Sequence, residues 1–502
     1  MSITSLVALY YDHYFKKINR LQEDADNQQR LLLKRILNEA ANTEWGNRYN
    51  YADIKSYEAF AKTVPINTYE ELKADIDRMR HGESDILWKG RVKWYAKSSG
   101  TTNDKSKYIP VSAQYLHDTH YAGGMDTVAY YLHQNPKSRL FDGKALILGG
   151  SHSKNYDVPE SLVGDLSAIL IENIHPLVNK VRVPSKEIAL LSDFEKKRDL
   201  IAKSTFQKNV TNLSGVPSWM LSVLNRVLEV SGKKNIREVW PNLEVFFHGG
   251  VAFSPYRDTY HDLIPSGSMH YMETYNASEG FFGLQTDLND VSMELLTHLG
   301  VFYEFIPLEE VGKTNASAIP LWEVEKGKNY AIVISNTSGL WRYQIGDTVS
   351  FTSLKPYKFI ITGRTKSFIN AFGEELIVDN AEKGLQIACK ETGAEILEYT
   401  AAPVFMGANA KCRHQWLIEF AHEPDSIEHF AEVLDTALQR INSDYEAKRY
   451  KNITLQPLEI IKGKTGVFND WLKSEGKLGG QHKIPRLSND RKIIEKILKL
   501  NN

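Results

Sequence analysis

Ser98-Ser99-Gly100-Thr101-Thr102-Asn103-Asp104-Lys105-Ser106-Lys107-Tyr108-Ile109-Pro110 packs hydroxylated residues around a glycine and then supplies lysines. Before it, Val92-Lys93-Trp94-Tyr95-Ala96 reads as a short strand. After it, Val111-Ser112-Ala113-Gln114 reads as a helix start with Ser112 as N-cap. Such a turn exposes backbone N–H groups and hydroxyl donors, and glycine lets the backbone approach phosphate oxygens that a lysine can neutralise. It is not a Walker A loop, which needs a glycine five residues before Gly-Lys-Ser/Thr. The one Gly-Lys-Thr, at Gly463-Lys464-Thr465, has Leu458 at that position. A polar surface turn has the same composition, so the stretch alone leaves both readings open.

Outward from this turn, residues 7–42 read as helical, and a helix is expected over 112–133. Lys144-Ala145-Leu146-Ile147-Leu148-Gly149-Gly150 and Leu243-Glu244-Val245-Phe246-Phe247-His248-Gly249-Gly250 read as buried strands, each ending in a glycine pair. Residues 186–230 read as mostly helical, with Pro217 near a helix start. Met269-His270-Tyr271-Met272-Glu273-Thr274 is a third strand, running into Tyr275-Asn276-Ala277-Ser278-Glu279-Gly280. Strands alternating with helices predict an α/β core, with ligands beyond the carboxyl ends of the strands. The turns at 98–102, 249–250 and 275–280 then share one crevice. Residues 291–360 read as a smaller β subdomain, antiparallel at least in part. The last portion reads as a smaller α/β unit, with helices at 379–392 and 426–448 and strands near 395–405, 414–421 and 454–461.

A chain of 502 residues suits two or three domains. Hydrophobic residues at 42% and charged residues at 25% are those of a globular protein large enough for an enzyme. The net charge of −1 gives no electrostatic case for nucleic acid or an anionic membrane. Only two cysteines, Cys389 and Cys412, are present, and no CxxC pair, so a cysteine-rich zinc site is excluded and a reducing compartment is expected. The N-terminus lacks the marks of a signal peptide and no apolar run reaches about 18 residues, so the expectation is a cytoplasmic protein without a membrane span.

Three constellations could carry chemistry beside the opening turn. At the 275–280 strand end, Tyr275 can stack on a base, Ser278 can reach a phosphate, and Glu279 can hold Mg²⁺, which prefers oxygen ligands. Asp347, closing Trp341-Arg342-Tyr343-Gln344-Ile345-Gly346-Asp347, can accept ribose hydroxyls. Gly363-Arg364-Thr365-Lys366 places two cations near a domain junction. Taken alone, the first reads equally as a capped turn, the second reads better as a Gly-Asp β-turn, and the third as a solvent-facing linker.

Their order and spacing together resemble the adenylate-forming superfamily that contains acyl-CoA synthetases. Within it, the chain is similar to the auxin-responsive acyl-acid amido synthetases. Ser98-Ser99-Gly100-Thr101-Thr102…Lys107 resembles the phosphate loop, with four residues before the lysine where acyl-CoA synthetases usually have three. Tyr275-Asn276-Ala277-Ser278-Glu279 resembles Tyr-Gly-x-Thr-Glu, and Trp341 to Asp347 resembles Tyr-Arg-x-x-x-Gly-Asp. Residues 363–376 resemble the superfamily hinge, with Lys366 at the hinge position. The tail Gly479-Gly480-Gln481-His482-Lys483-Ile484-Pro485-Arg486 resembles the amido synthetase C-terminus. The departures are Asn276 for glycine, Ser278 for threonine, Trp341 for tyrosine, and no second glycine at Asn103 or Asp104.

The resemblance implies an N-terminal ATP- and acyl-binding domain, 1–364, and a mobile C-terminal domain, 365–502, with the substrates between them. It implies ATP-dependent adenylation of a carboxylic acid with Mg²⁺, then transfer of the acyl group to an amino acid amine. Ser98, Ser99, Gly100, Thr101, Thr102 and Lys107 would hold phosphate oxygens, and Gly249 and Gly250 would let the backbone approach the adenine. Tyr275 would stack on the base, Ser278 touch the phosphate, Glu279 hold the metal, and Asp347 grip the ribose with help from Arg364. Lys483 would stabilise charge at the α-phosphate. Transfer to a thiol such as coenzyme A is the rival within enzymes, and nucleotide binding without turnover is the rival outside them. The acyl pocket is expected along 115–130, 160–225 and 251–256, where Tyr121, Leu166, Trp219 and Phe253 are apolar candidates. His117, His120 or Arg182 could meet a carboxylate there.

Overall fold

The apolar runs fold as strands covered on both faces, which is why they lack polar alternation. The computed structural model describes all residues except 1–2, 99–106, 154–157, 251–252, 254–255, 266, 314–315, 366–367, 372, 375, 407–410, 453–454, 476–483 and 502. Among the described residues, twelve strands join in one mixed sheet. Its parallel part runs, in spatial order, Arg182–Val183, Lys144–Ile147, Val210–Gly215, Val245–His248 and His270–Ala277. His270–Ala277 is the junction, parallel to Val245–His248 on one side and antiparallel to Gly280–Leu284 on the other. Met293–Leu295, Tyr357–Arg364, Tyr343–Leu354, Asn329–Asn336, Val301–Pro307 and Ile319–Pro320 continue the antiparallel part.

The β-rich 291–360 portion is therefore continuous with the α/β core. The cause is the Ser278-Glu279 turn, which returns the chain beside the strand it has just left. Two details differ from the sequence reading. The 186–230 stretch is mostly helical, as read, with Pro217 opening a helix, but it also holds a central strand, Val210–Gly215, between the helices Phe194–Thr205 and Pro217–Ser231. Its Thr and Asn interrupt the apolar pattern, and Thr211 and Asn212 are buried because both donate to the Leu140 carbonyl. The opening turn also does not run from strand to helix. Trp94–Ser98 and Lys107–Val111 pair antiparallel, Ser98 opposite Lys107, so it is the connection of a hairpin. The helix begins only afterwards, at Ser112, whose side chain accepts from the Tyr115 N–H as an N-cap.

Contacts divide the chain into two compact units, the larger made of 1–98, 107–253 and 260–365 and the smaller of the remainder, chiefly the chain after Thr365. The smaller holds a three-stranded sheet, Glu395–Met406, Lys411–His422 and Glu459–Lys462 in order, with the last pair parallel. The helices Val378–Thr392 and Ile427–Ile441 share its core with Trp416 and Ile418. No helix among the described residues is long and apolar enough to cross a membrane.

Candidate functional site

Two of the sequence motifs meet at the centre of the large unit. The His270–Ala277 strand carries Tyr275, and the Tyr343–Leu354 strand carries Asp347. The Tyr275 hydroxyl donates to Asp347 Oδ2. On the other carboxylate oxygen, Arg364 Nε lies 2.6 Å from Asp347 Oδ1. Asp347 and Arg364 face each other across neighbouring antiparallel strands, so their pairing is a cross-strand ion pair fixed by register. The Tyr275 ring packs edge-on against Phe282, with centroids 4.9 Å apart. Burial, reinforced by Asp347, pushes the Tyr275 phenol well above its ordinary value, so it stays a donor. The arrangement orients the Asp347 side chain, with a hydroxyl donor on one oxygen and a guanidinium on the other.

Glu279 lies in the turn that follows Tyr275, and the residue is buried, with 8% of its surface exposed. Its backbone carbonyl accepts from the Tyr115 hydroxyl and from Asn336 Nδ2. Asn336 Oδ1 accepts in turn from the N–H groups of Ser338 and Leu340. Ser338 Oγ accepts from the Ser112 N–H at 2.8 Å and donates to the Pro110 carbonyl at 2.6 Å. One hydrogen-bonded chain thus joins the return strand of the opening hairpin, the Glu279 turn, and the segment leading to Asp347. Tyr115, Asn336 and Ser338 were not singled out from the sequence. The polar Asn336-Thr337-Ser338-Gly339 run that ends an apolar strand is a signal for Asn336 and Ser338, and Tyr115 carries none.

Ser98 and Lys107 are half-buried at the connected end of the hairpin, and Ser278 is half-buried in the Glu279 turn. Ser99, Gly100, Thr101, Thr102, Lys366 and Lys483 lie outside the described residues. Gly249 and Gly250 each have a local reason. A Cβ on Gly249 would sit 2.2 Å from the Thr274 carbonyl oxygen, and Gly250 has φ of 83°. The Gly249 requirement keeps the end of the Val245–His248 strand against the strand that carries Tyr275.

The arginine of the third motif is structural. Arg342 is buried with φ of 43° and forks onto Glu304, with contacts of 2.8–3.1 Å. Its Nη1 also donates to the carbonyls of Ala61 and Val64, which anchors the end of the Tyr57–Thr63 helix. Its neighbour Trp341 is fully buried and donates to the Leu87 carbonyl. These two residues hold the turn from which Gly346-Asp347 emerges.

Of the three residues considered for a carboxylate, the sheet removes one. Arg182 is level with His270 and four strands away, about 19 Å sideways from the strand of Tyr275. It is therefore removed as a candidate. The His117 side chain is 86% exposed. His120 is buried, and its Nδ1 lies 3.0 Å from Asn276 Oδ1, inside the second motif. Of the apolar candidates, Phe253 stacks on His248 with centroids 4.2 Å apart, and the Tyr121 hydroxyl donates to the Leu170 carbonyl. Leu166 and Trp219 are half-buried.

A divalent cation is compatible with this donor set. Among the described residues no group of three or more His, Cys, Asp or Glu forms a protein cage. Mg²⁺ is characteristically held by one or two carboxylates together with substrate phosphates, and a single buried carboxylate such as Glu279 fits that mode.

Comparison with known proteins accords with this geometry. Residues 14–269 match the GH3 family N-terminal domain, 295–364 the GH3 family central domain, and 379–492 the GH3 family C-terminal domain. The chain is 23% identical to the indole-3-acetic acid-amido synthetase GH3.3 of Arabidopsis thaliana, over 95% of this chain and 92% of that protein. It is 22% identical to the 4-substituted benzoates-glutamate ligase GH3.12 of the same plant, over 96% of each. Its fold is similar to that of the AtGH3.15 acyl acid amido synthetase solved in complex with 2,4-DB, with a TM-score of 0.62, 20% identity, and coverage of 97% of this chain and 95% of that one. With all three domains matched in order and along most of its length, the chain belongs to the GH3 family.

Proposed function

We propose that this chain is an ATP-dependent ligase that adenylates a carboxylic acid and transfers the acyl group to an amino acid, forming an amide. The observation that carries the reading is the Tyr275–Asp347–Arg364 cluster, with Glu279 at the end of the same strand. Curated relatives are named as amido synthetases and as a benzoate–glutamate ligase, which supports an amine acceptor over a thiol.

In the first step a carboxylate oxygen of the acid attacks the α-phosphorus of ATP, and pyrophosphate leaves. In the second the amine attacks the acyl carbonyl, AMP leaves with the bond electrons, and the amine loses its proton. Both steps need alignment and charge neutralisation more than covalent help from the protein. Asp347, oriented by Tyr275 and Arg364, accepts the ribose hydroxyls and fixes the nucleoside. Ser98, Ser99, Gly100, Thr101 and Thr102 donate to phosphate oxygens, and Lys107 neutralises them. Ser278 donates to the phosphate from the other side. Glu279 holds Mg²⁺, which supplies positive charge to the phosphate oxygens when bound. Lys483 stabilises the negative charge that gathers at the α-phosphate and the attacking carboxylate. The domains are 1–364 for substrate binding and 365–502 for delivering Lys483.

The test is ATP–pyrophosphate exchange across a panel of aromatic and aliphatic acids, followed by mass spectrometry of products formed with single amino acids or with coenzyme A. Acid-dependent exchange and an amide product support the proposal. A thioester product, or ATP binding with no exchange, would replace it.

A further inference from the structure

The helix after the opening hairpin is not regular. It runs Ala113–Tyr115, then a π-helical segment Leu116–Tyr121, then Ala122–Gln134. In a regular α-helix positions five apart differ by about 140° around the axis and face apart. The wider i→i+5 turn of a π segment brings such positions into line. Here it stacks Tyr115 and His120 on one face, their rings edge-on with centroids 5.1 Å apart. Both side chains then reach the same target. The Tyr115 hydroxyl donates to the Glu279 carbonyl, and His120 Nδ1–H donates to Asn276 Oδ1 at 3.0 Å. One irregular turn thereby grips both ends of the four-residue segment from Asn276 to Glu279.

We propose that His120 is a positioning residue for adenylation, holding through Asn276 the strand end that carries Tyr275 and Glu279. The inference rests on the proposed function. His120 is 3% exposed, and its Nε2 has no partner among the described residues. An imidazole kept there for packing alone is a poor choice, because a buried nitrogen without a partner lowers stability where leucine would not. A buried ring whose one satisfied nitrogen points at a site motif is better accounted for by the bond it makes. The irregular turn is what makes that bond reachable.

The test uses the purified full chain in ATP–pyrophosphate exchange with its best acid, reading kcat, KM for ATP and Tm for each variant. His120→Leu is expected to lower kcat at least about 10-fold, with KM for ATP within about 3-fold. Its Tm is expected to be unchanged or higher. His120→Gln, whose amide N–H can reach Asn276, is expected to return kcat to within about 3-fold of the parent. Asn276→Leu should match His120→Leu, and the double variant should be no slower than either single one. Undiminished exchange in His120→Leu would overturn the inference, as would equal losses in the Leu and Gln variants. Losses that multiply in the double variant, or that track a fall in Tm, would also overturn it. A parent protein without exchange for any acid would instead overturn the proposed function, and this inference with it.

Discussion

Replacing Arg342 with methionine should unfold the large unit far more readily than its single side chain suggests. Arg342 and Glu304 are both buried, and the side chain of Glu304 has no exposed surface. Methionine matches the length of the arginine stem but leaves Glu304 without its cation and the Ala61 and Val64 carbonyls without a donor. Breaking a buried pair from one side costs about 3–5 kcal/mol. Each orphaned carbonyl adds about 1–3 kcal/mol, part of which relaxation recovers. Burial already pushes the Glu304 carboxyl above its ordinary range against the pull of Arg342, so without the arginine it protonates rather than remaining a bare charge. That sets the expectation near the lower figures, about 4 kcal/mol, a large share of the roughly 5–15 kcal/mol that stabilises a domain. Adding Glu304→Gln should recover about 1 kcal/mol or more, because the neutral amide needs no counter-charge and can still meet the Tyr57 hydroxyl. Urea unfolding followed by far-UV circular dichroism, fitted with one transition per compact unit, reads both values. A single variant within about 1 kcal/mol of the parent would refute the structural role given to this motif arginine.

Asp347→Asn removes the charge that Tyr275 and Arg364 orient, and loss of charge-assisted bonds to the ribose is expected to raise KM for ATP about 10- to 100-fold in pyrophosphate exchange. Gly250→Ala should cost about 1–2 kcal/mol in urea unfolding, from its left-handed backbone alone. Gly249→Ala should cost more, because its Cβ would sit 2.2 Å from the Thr274 carbonyl oxygen, closer than any side chain tolerates. Burial pushes the His120 imidazole down to about 4 from an ordinary value of 6.5. Between those values the unfolded chain binds a proton that the folded chain refuses, so the contribution is present in full above pH 6.5 and is lost as pH falls towards 4. Unfolding measured from pH 7 to 4 should therefore show His120→Leu losing about 3 kcal/mol less than the parent across that window.

The site was legible where chemistry is written in short strings. Ser98 to Lys107, Tyr275 to Glu279 and Trp341 to Asp347 announced themselves by residue type and order. The structure joined Tyr275, Asp347 and Arg364 through direct contacts. What was not legible depended on register and helix phase. Val210–Gly215 escaped because Thr211 and Asn212, buried by their hydrogen bonds to the Leu140 carbonyl, break the apolar run between Val210 and Leu213. The hairpin at the opening turn escaped because Lys107-Tyr108-Ile109-Pro110 reads as the end of a loop until it is paired with Trp94–Ser98. Arg182 and His120 looked equivalent in sequence; strand order removes the first, and a contact with Asn276 brings the second to the site. The role of Arg342 was hidden because its partner Glu304 is distant in sequence, in a strand that carries no motif. The π-helical turn has no compositional mark at all.

The central claim is that this chain builds an acyl-adenylate. Acid-dependent exchange of labelled pyrophosphate into ATP, in the parent beside Glu279→Ala and Lys483→Ala, measures that step without reference to the acceptor. The account predicts exchange stimulated by a carboxylic acid in the parent and a fall of at least about 100-fold in each variant. Exchange that proceeds as fast in both variants as in the parent would contradict the roles given to these residues. A parent that binds ATP but exchanges nothing with any acid would contradict adenylation itself.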